Sequence, residues 1–362
     1  MKRRQFVKHA SALPLAAGLI SSTPAANAAL LPEFKWKMVT TWPRNFPGLG
    51  MGANYLANLI DQMSGGRLKI SIYGANELVA PLDVFDAVAE GRAQMGHGAA
   101  FYWKDTIRAA QFFAAVPFGM TAQEMNAWLY QGEGMELWQE LYDPYGIVPH
   151  ACGNTGVQMG GWFNREINSS ADLQGLKIRI PGLGGEVFKR LGAEPVLLPG
   201  DEIFHALEQG EIDAAEWAAP YNDVALGLYK AAKYYYYPGW HEPGTTIECL
   251  INKDALAQLP KDLKAIVKSA MRVANQEMLA ELTAKNNRAL QHLLNVHKVQ
   301  LCKFPDEVLS QLKLASISVL QEELEKDPRA IKIFESYDRF RQQAAAWHDL
   351  SELAYMQARD LT

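Results

Sequence analysis

The stretch Gly153–Gly182, GNTGVQMGGWFNREINSSADLQGLKIRIPG, decides the fold of this chain. Two apolar runs within it, Val157–Phe163 and Leu176–Ile180, have the length and composition of β-strands. The polar segment between them predicts a turn and then one helical turn, with Ser169 or Ser170 placed to cap it. The stretch therefore predicts two strands joined by a short polar connection.

Each of these predicted strands carries one polar side chain, Gln158 on the first and Arg179 on the second. Arg179 comes just before the breaker pair Pro181–Gly182, where the strand runs into a loop. Open α/β sheets bind their ligands at such strand ends. The alternative is that Arg179 is a strand-end charge on a solvated face, because most arginines are exposed. The rest of the chain has to decide between the two.

Outside this stretch, strand and helix patterns alternate. Before it, strands are predicted at Phe34–Thr40, Leu68–Tyr73 and Ala93–Gly98, and helices at Met51–Ser64 and Asp83–Glu90. After it, helices are predicted at Gly185–Leu191 and Glu202–Gln209, and strands at Glu194–Leu198 and Ala214–Trp217. This alternation is typical of mostly parallel sheets covered by helices. Because about 330 residues are too many for one core, we expect two α/β domains with a cleft between them.

The last third of the chain is predicted to be mostly helical. After a strand at Thr246–Asn252, Pro260–Asn286 forms one long helix that Asn287–Asn295 can continue, and Val299–Phe304 is a short strand. The segment Asp306–Thr362 has an apolar face and hardly any helix breaker. We expect it to pack on the body of the protein or on a second subunit.

The first 28 residues have the pattern of an export signal. Four basic residues and no acid accompany the apolar run Leu13–Ile20, and Ala26–Asn27–Ala28 is an A-x-A cleavage site. The string RRQFVK resembles the twin-arginine signal, and an ordinary secretion signal with an arginine pair is the alternative. No later run approaches the ~20 apolar residues of a membrane span. We therefore expect a periplasmic protein.

Removing residues 1–28 leaves an acidic chain. It takes away four positive charges and no acid, which changes the formal net charge from -5 to -9. This balance argues against nucleic acid and anionic membranes as partners. An anionic small molecule remains possible, because one buried arginine outweighs distant surface charge locally.

Familiar catalytic and metal motifs are absent from the mature sequence, which has no Walker loop, H-E-x-x-H, G-x-S-x-G or C-x-x-C. The glycines of Gly182–Glu186 lack the spacing of a dinucleotide site. Cys152, Cys249 and Cys302 lack metal-type spacing. The first two lie in strand-like segments and could pair, but we expect no disulfide framework. An exported oxidoreductase stays as the enzymatic alternative, without a cofactor motif to support it.

Several polar residues at predicted strand ends stand among aromatic side chains. They are Gln158, Arg179 and Glu216–Trp217, with Tyr102 beside Trp103 at the end of an earlier strand. An arginine can hold a carboxylate through two parallel charge-assisted hydrogen bonds. Glutamate and glutamine oxygens suit Na⁺ or Ca²⁺. Alternatively, Glu216 is simply the ion-pair partner of Arg179.

These residues belong to motifs that resemble a known family. The runs L-Q-G-L-K-I-R-I-P-G, G-A-E-P-V-L-L and A-L-E-Q-G-E-I-D-A-A-E-W, together with Asp86–Gly98, resemble the DctP-type solute-binding proteins of TRAP (tripartite ATP-independent periplasmic) transporters. The resemblance covers essentially all of residues 34–330. Within the family, GVQMGGWF and the Glu-Trp pair resemble the branch that binds 2-oxo or 2-hydroxy monocarboxylates, such as pyruvate and lactate, through a metal ion.

The resemblance implies a role for each candidate residue. Arg179 would bind the ligand carboxylate, and the side-chain oxygens of Gln158 and Glu216 and the main-chain carbonyl of Trp217 would bind Na⁺ or Ca²⁺. The ligand would complete the coordination with a carboxylate oxygen and its 2-oxo or 2-hydroxy oxygen, so acids lacking the second oxygen would be rejected. Glu242, next to His241, would join the cleft. Aromatic residues would wall a small pocket: Phe101, Tyr102, Trp162 and Trp217.

The resemblance also implies a two-domain periplasmic binding-protein fold with a ligand cleft and a long spanning helix. Domain I would comprise 29–153 and 246–285, and domain II 154–245 and 286–330. The chain would cross between them near Gly153 and Pro243–Thr246, and closure there would bury the ligand without any reaction. The permease subunits of a TRAP transporter would be the membrane partners. The helical extension 331–362 resembles the swapped helices of dimeric members.

Two alternatives stay open at this point. One is an exported enzyme on the same scaffold. The other is a binding protein for another carboxylate, such as a sugar acid or a dicarboxylate.

Overall fold

The structure, a computed structural model, describes residues 33–361, whose strands form two sheets covered by helices. This two-lobed α/β architecture confirms the predicted fold class. The predicted signal peptide, residues 1–28, lies outside the described residues. Among residues 33–361, no helix is both long and apolar enough to cross a bilayer.

The strands are short and divide between the two sheets. In chain order they are β1 (Phe34–Thr40), β2 (Leu68–Tyr73), β3 (Met95–Gly98), β4 (Ile147–Asn154), β5 (Gly161–Phe163), β6 (Lys177–Arg179), β7 (Glu194–Val196), β8 (Ala214–Ala215), β9 (Tyr234–Tyr237), β10 (Thr246–Asn252) and β11 (Gln300–Lys303). The first sheet has the order β2-β1-β3-β10-β4 and the second the order β11-β9-β5-β8-β6-β7. We call the part of the chain around each sheet the first lobe and the second lobe.

The helices cover these sheets and extend beyond them. They are α1 (Leu49–Met63), α2 (Val84–Ala89), α3 (Ala122–Gln131), α4 (Gly134–Tyr142), α5 (Gly182–Arg190), α6 (Gly200–Glu208), α7 (Pro220–Leu226), α8 (Lys253–Gln258), α9 (Lys261–Asn295), α10 (Asp306–Lys326), α11 (Pro328–Leu350) and α12 (Glu352–Arg359). The long helix predicted at Pro260–Asn286 does continue, since α9 is unbroken to Asn295.

The helices of the first lobe are held against the first sheet by buried apolar side chains. β1 runs parallel to both β2 and β3, and β10 runs antiparallel to β3 and β4. Leu56 and Ile60, one turn apart on α1, are fully buried in the same cluster as Met38 of β1. Burying one such side chain contributes about 1.5–3 kcal/mol. These contacts fix α1 and leave the loop after β1 facing the second lobe.

The second sheet brings the candidate residues together. β6 is parallel to β7 and β8, whereas β5 is antiparallel to β8 and β9. The register sets Arg179 opposite Ala215, so the residues after β8 lie beside Arg179. Between β5 and β6, Ser169 caps a single helical turn through a capping box with Asp172. The predicted cap is thus confirmed at Ser169.

Two antiparallel segments connect the lobes. β4 leaves the first sheet at Asn154 and β10 enters it at Thr246, close to the predicted crossings, and the N–H of Thr155 donates to the carbonyl of Thr245 at 3.0 Å. A β-carbon at Gly153 would lie 2.4 Å from the sulfur of Met278, so glycine lets α9 lie directly on the crossing. The residue boundaries predicted for the two domains stay predictions.

One predicted strand is wrong over most of its length. Only Gly161–Phe163 of the run Val157–Phe163 is a strand, and Gln158 lies in the connection before it. Gly156 and Gly161 have φ values of 68° and 114°, a backbone conformation that interrupts a regular ladder. The main-chain N–H of Gln158 instead donates to the carbonyl of Glu242 in the opposite crossing segment, at 3.2 Å.

The C-terminal helices pack on the body over much of their length. On α10, Glu322 pairs with Arg190 of the second lobe, while the next residue, Glu323, contacts Arg108 of the first lobe at 2.9 Å. α11 then follows the first lobe, where the hydroxyl of the buried Tyr337 accepts a main-chain hydrogen bond at 2.8 Å. The predicted packing on the body is therefore confirmed for α10 and the first half of α11.

Candidate functional site

Arg179 is a fully buried arginine at the carboxyl end of β6, with 1% of its side chain exposed. Its Nε donates to the carbonyl of Leu198 at 3.1 Å, and one terminal nitrogen donates to the carbonyl of Glu216 at 2.7 Å. The other terminal nitrogen lies 3.4 Å from the hydroxyl of Tyr102 in the first lobe. The solvated-face alternative for Arg179 is therefore excluded. Its guanidinium is held in place and faces the cleft.

Glu216 follows β8 and lies between the guanidinium of Arg179 and the imidazole of His241. Its Oε2 is 3.3 Å from Arg179 and its Oε1 is 3.5 Å from Nε2 of His241. Burial lowers the pKa of His241, but contact with Glu216 and the nearby charge of Glu242 raise it above the ordinary value overall. In the part of the chain that the structure describes, Oε1 of Glu216 is buried without a hydrogen-bond partner.

The amide of Gln158 has a defined orientation. Its nitrogen faces three oxygens, those of Thr155, Glu242 and Thr245, at 3.1, 2.8 and 3.1 Å. Because an amide nitrogen only donates, the oxygen must point the other way. Among residues 33–361 that oxygen is buried with no hydrogen-bond partner. Gln158 therefore offers a free oxygen to the cleft.

Glu242 closes this polar cluster. Burial, and then the charge of Glu216, raise the pKa of Glu242 to about 7. Glu216, His241 and Glu242 each present one ligand atom within 4.8 Å of the others. Two buried carboxyl groups and an unpartnered amide oxygen are an environment that favours a hard cation, because a positive charge relieves the repulsion and satisfies the oxygens. The residues present thus fit Na⁺ or Ca²⁺.

Aromatic rings from both lobes meet at Trp217. Arg179 lies over the Trp217 ring at 5.1 Å, and the rings of Trp42 and Phe46 approach it edge-on at 6.2 and 6.0 Å. Tyr102 packs against Trp42 at 6.2 Å. Sequence reasoning missed Trp42 and Phe46, although both lie in the loop after β1, where a strand-end rule would have placed ligand groups.

Tyr102 brings the first lobe to Arg179. Burial raises the pKa of Tyr102 to about 12, so its hydroxyl keeps its proton. The neighbouring Phe101 lies against Gly182, where a β-carbon would come within 3.1 Å and φ is 60°. Glycine is needed there because it permits both the backbone conformation and the close approach. The two lobes therefore touch directly at the cleft.

Trp162 differs from its predicted position in the pocket wall. Its ring stacks on Tyr235 at 4.0 Å, and its N–H donates to Asp223 at 2.9 Å. The side chain is fully buried in the core of the second lobe. The indole N–H is therefore already paired within the second lobe.

His241 and the two threonines that surround Gln158 were also not singled out from the sequence. They become neighbours only when the two crossing segments pack together. Thr155 precedes Gln158 on the first segment, and Thr245 follows Glu242 on the second. The one available signal was the polar run His241–Glu242 just before a buried strand.

The chain has clear relatives among known proteins. Residues 38–327 match the family model DctP, bacterial extracellular solute-binding protein, family 7. A periplasmic protein of Nostoc sp. described as monocarboxylate 2-oxoacid-binding is 42% identical over 358 residues, which is 98% of each chain.

Two solved structures share the whole fold. A TRAP periplasmic solute-binding protein from Pseudoalteromonas atlantica, with bound sodium and pyruvate, is 43% identical with a TM-score of 0.87, over 90% of this chain and 99% of that one. A TRAP transporter solute-binding protein from Bordetella bronchiseptica, a mixed-occupancy dimer with calcium and picolinate in one site, is 36% identical with a TM-score of 0.89, over 91% of this chain and 98% of that one. By fold and by sequence, the chain belongs to the DctP family of bacterial extracellular solute-binding proteins, as the resemblance predicted.

Proposed function

We propose that this chain is the ligand-capturing subunit of a TRAP transporter and binds a small 2-oxo or 2-hydroxy monocarboxylate together with Na⁺ or Ca²⁺. The observation that carries the proposal is the pair of buried oxygens of Gln158 and Glu216, which have no hydrogen-bond partner among residues 33–361, beside the buried guanidinium of Arg179. A cleft with this donor set has both a cation site and a carboxylate anchor. The relatives that bind 2-oxo acids, sodium with pyruvate, or calcium with picolinate support the same ligand class.

Each residue has a distinct part in this binding. Arg179 anchors the ligand carboxylate, and its contacts with Leu198 and Glu216 keep the guanidinium from swinging away. Gln158 and Glu216, with the carbonyl of Trp217, would hold the cation, which attracts two oxygens of the ligand when it is bound. Glu242 orients the Gln158 amide through the hydrogen bond at 2.8 Å.

Selectivity follows from this arrangement. An acid that lacks the 2-oxo or 2-hydroxy oxygen leaves buried polar groups without a partner. Such an acid therefore binds much more weakly. The rings of Trp42, Phe46 and Tyr102 surround this position, and we propose that they favour ligands with short side chains. We propose binding and delivery without a reaction, in keeping with the family of solute-binding proteins to which the chain belongs.

The cellular setting completes the proposal. We propose that residues 1–28 form a twin-arginine signal and that the mature chain works in the periplasm, where TRAP permease subunits receive the ligand. The periplasmic description of the Nostoc relative supports this location.

A homodimer through the C-terminal helices is also proposed. The end of α11 and α12 carry exposed apolar side chains: Trp347, Leu350, Leu353, Tyr355 and Met356. A contiguous exposed apolar surface is typical of protein interfaces. The dimeric Bordetella relative supports this possibility. Light scattering coupled to size exclusion should give twice the chain mass, and a monomer at micromolar concentration would contradict the dimer.

The decisive experiment is a calorimetric titration of the chain with pyruvate, lactate and propionate in Ca²⁺ or Na⁺. Pyruvate and lactate should bind and propionate should not, and NMR should recover the bound acid unchanged. The variants Arg179→Ala and Arg179→Lys should both bind pyruvate more weakly, because the buried charge pair costs on the order of 2–5 kcal/mol to break.

The exposed Arg92, paired with Glu90, provides the matched control as Arg92→Ala. Circular dichroism checks that every variant is folded. Unchanged pyruvate affinity in folded Arg179→Lys and Arg179→Ala, or preferential binding of a dicarboxylate or sugar acid, would overturn the proposed ligand class.

A further inference from the structure

Two histidines at the end of the long helix α9 face each other outside the ligand cleft. His292 lies in the last turn of α9 and His297 in the turn that leads to β11. Their Nε2 atoms are 3.2 Å apart, and the rings meet nearly at right angles, with centroids 4.8 Å apart and planes at 87°. His292 is exposed and His297 is half-buried, so the two nitrogens can be reached from solvent.

This separation is the one that a shared metal ion requires. Histidine nitrogens bind Zn²⁺ at about 2.0–2.1 Å, and two such bonds at angles from octahedral to tetrahedral put the nitrogens about 2.8–3.4 Å apart. The observed 3.2 Å falls within that interval. An ion between the two nitrogens could therefore have ordinary bond lengths to both rings.

The pair is positioned by its surroundings. The His297 ring stacks on Tyr229 at 4.0 Å with the planes at 31°. The turn is fixed by main-chain hydrogen bonds, from Val296 to His292 at 3.0 Å and from Val299 to Leu293 at 3.2 Å. Leu293, next to His292, is fully buried and anchors this end of the helix. Pre-positioned ligands lose less freedom on binding, which favours affinity.

Without an ion the same geometry allows a hydrogen bond between the rings. That bond needs a proton on one Nε2 and a lone pair on the other, so the two rings share a proton. An ion would use both Nε2 lone pairs once the donating ring carries its proton on Nδ1 instead, so both rings stay neutral and no net proton is released. The hydrogen-bonded pair is then the empty form of the site.

The donor set selects the class of ion. Among residues 33–361, the only group of three or more His, Cys, Asp or Glu side chains able to share an ion is Glu216, His241 and Glu242 in the cleft, so His292 and His297 bind alone and water completes the coordination. Lys298 follows His297, and Lys230 lies over the Tyr229 ring at 5.7 Å. These positive charges repel any cation, so the donor atoms make the selection: Na⁺ and Ca²⁺ prefer oxygen ligands, whereas imidazole binds Zn²⁺, Ni²⁺ and Cu²⁺ through its lone pair.

We propose that His292 and His297 form a second metal site, which takes a divalent transition ion such as Zn²⁺ and ties the end of α9 to the turn before β11. The site is independent of the ligand cleft in donor type and in position along the chain. It does not depend on the ligand proposed for the cleft.

The test is calorimetry with Zn²⁺ on the mature, tag-free chain whose cleft is saturated with Ca²⁺ and pyruvate. One further equivalent of Zn²⁺ should bind, and His292→Ala and His297→Ala should each lower the affinity by about tenfold or more. The exposed His205 on α6, 3.8 Å from Glu208, gives the matched control as His205→Ala. That control should bind Zn²⁺ like the wild type.

A second readout locates the ion independently of affinity. Substoichiometric Ni²⁺ should broaden the imidazole NMR signals of His292 and His297 first and leave those of His205 sharp. Zn²⁺ should also raise the Tm of the wild type but not of the two variants, since a ligand that binds only the folded state stabilises it. Absence of the extra equivalent, or equal Zn²⁺ affinity in all three folded variants and the wild type, would overturn the proposal.

Discussion

Glu216 in the cleft and Glu248 in the first lobe are both buried glutamates with an oxygen that lacks a partner among the described residues, yet they lie in opposite environments. Glu216 touches the guanidinium of Arg179 and the ring of His241. Glu248 receives a hydrogen bond from the indole of Trp103 and lies 3.5 Å from the hydroxyl of Tyr142, both neutral groups. Burial raises the pKa of Glu248 to about 8.

The difference teaches that a buried, unpartnered oxygen does not make a binding site by itself. Within the described part of the chain Glu248 forms no ion pair, so burial favours the protonated carboxyl group at neutral pH. Beside Glu216, the guanidinium of Arg179 can bind an anion. The side-chain oxygens of Glu216 and Gln158 can bind a cation next to it. The neighbours of the carboxyl group decide its role.

The largest expected effect comes from removing the charge at Glu216. Glu216→Gln keeps the shape of the side chain but should weaken pyruvate binding by roughly a hundredfold, about 3 kcal/mol, because it removes a charged group from a desolvated cluster. Calorimetry in Ca²⁺ measures this. Glu248→Gln is the matched control and should bind pyruvate as the wild type does. A similar loss in both variants would remove the distinction drawn between the two glutamates.

The pH dependence of stability should depend on Glu248. Glutamate in the unfolded chain loses its proton near pH 4.3, while Glu248 in the folded chain keeps its proton to about pH 8. Between these values the folded state binds more protons, so the free energy of unfolding falls as the pH rises, by roughly 3 kcal/mol from pH 5 to 8 for this group.

Urea unfolding of the ligand-free protein over that pH interval measures this slope. Glu248→Gln should show a flatter decline than the wild type. Other buried acids, such as Asp223 with its pKa raised to about 7, titrate in both proteins, so the difference between the two curves isolates Glu248. Parallel curves would show that Glu248 is already ionised in the folded state.

The next largest loss of pyruvate affinity is expected from removing the cation. In Na⁺-free buffer with a calcium chelator, pyruvate affinity should fall at least about tenfold, or 1.4 kcal/mol, because the ligand then faces unpaired oxygens of Gln158 and Glu216. Adding back Ca²⁺ should restore binding in the wild type and in Glu248→Gln, but much less in Glu216→Gln. Cation-independent binding would contradict the role given to these oxygens.

The smallest effect is expected for the hydroxyl of Tyr102. Tyr102→Phe removes only the contact of 3.4 Å with Arg179 and keeps the aromatic wall. Such a hydrogen bond contributes about 0.5–1.5 kcal/mol, so pyruvate affinity should drop between about twofold and tenfold. Tyr55→Phe on the outer face of α1 serves as control. A loss as large as that of Glu216→Gln would shift the centre of the site to the first lobe.

Much of the fold could be predicted from local pattern. Phe34–Thr40, Leu68–Tyr73 and Thr246–Asn252 were predicted to the residue, because each is an apolar run bounded by polar or turn residues. The strand at Tyr234–Tyr237 was missed because four consecutive tyrosines show no alternation of polar and apolar residues. This segment is a strand because it pairs with β5 and β11. The run around Gln158 failed because its glycines allow bonding to a distant crossing segment.

The candidate site could be predicted only in part, for the same reason. Arg179 and Glu216 are conspicuous in sequence because each interrupts an apolar run at a strand end. Trp42 joins them from a loop more than a hundred residues away, and His241 arrives from the second crossing segment. The strand-end position of Trp42 and the polar run His241–Glu242 mark these residues as candidates, but their contacts with Trp217 and Glu216 depend on how the two lobes meet.

The adjacent residues Glu322 and Glu323 on α10 form ion pairs with opposite lobes. Glu322 pairs with Arg190 of the second lobe and Glu323 with Arg108 of the first. In any rigid rotation, a point moves in proportion to its distance from the axis. If both ion pairs survive when the cleft opens, the axis of opening must pass close to this part of α10 as well as through the two crossing segments. An axis fixed in this way would permit a single bending direction and resist twist.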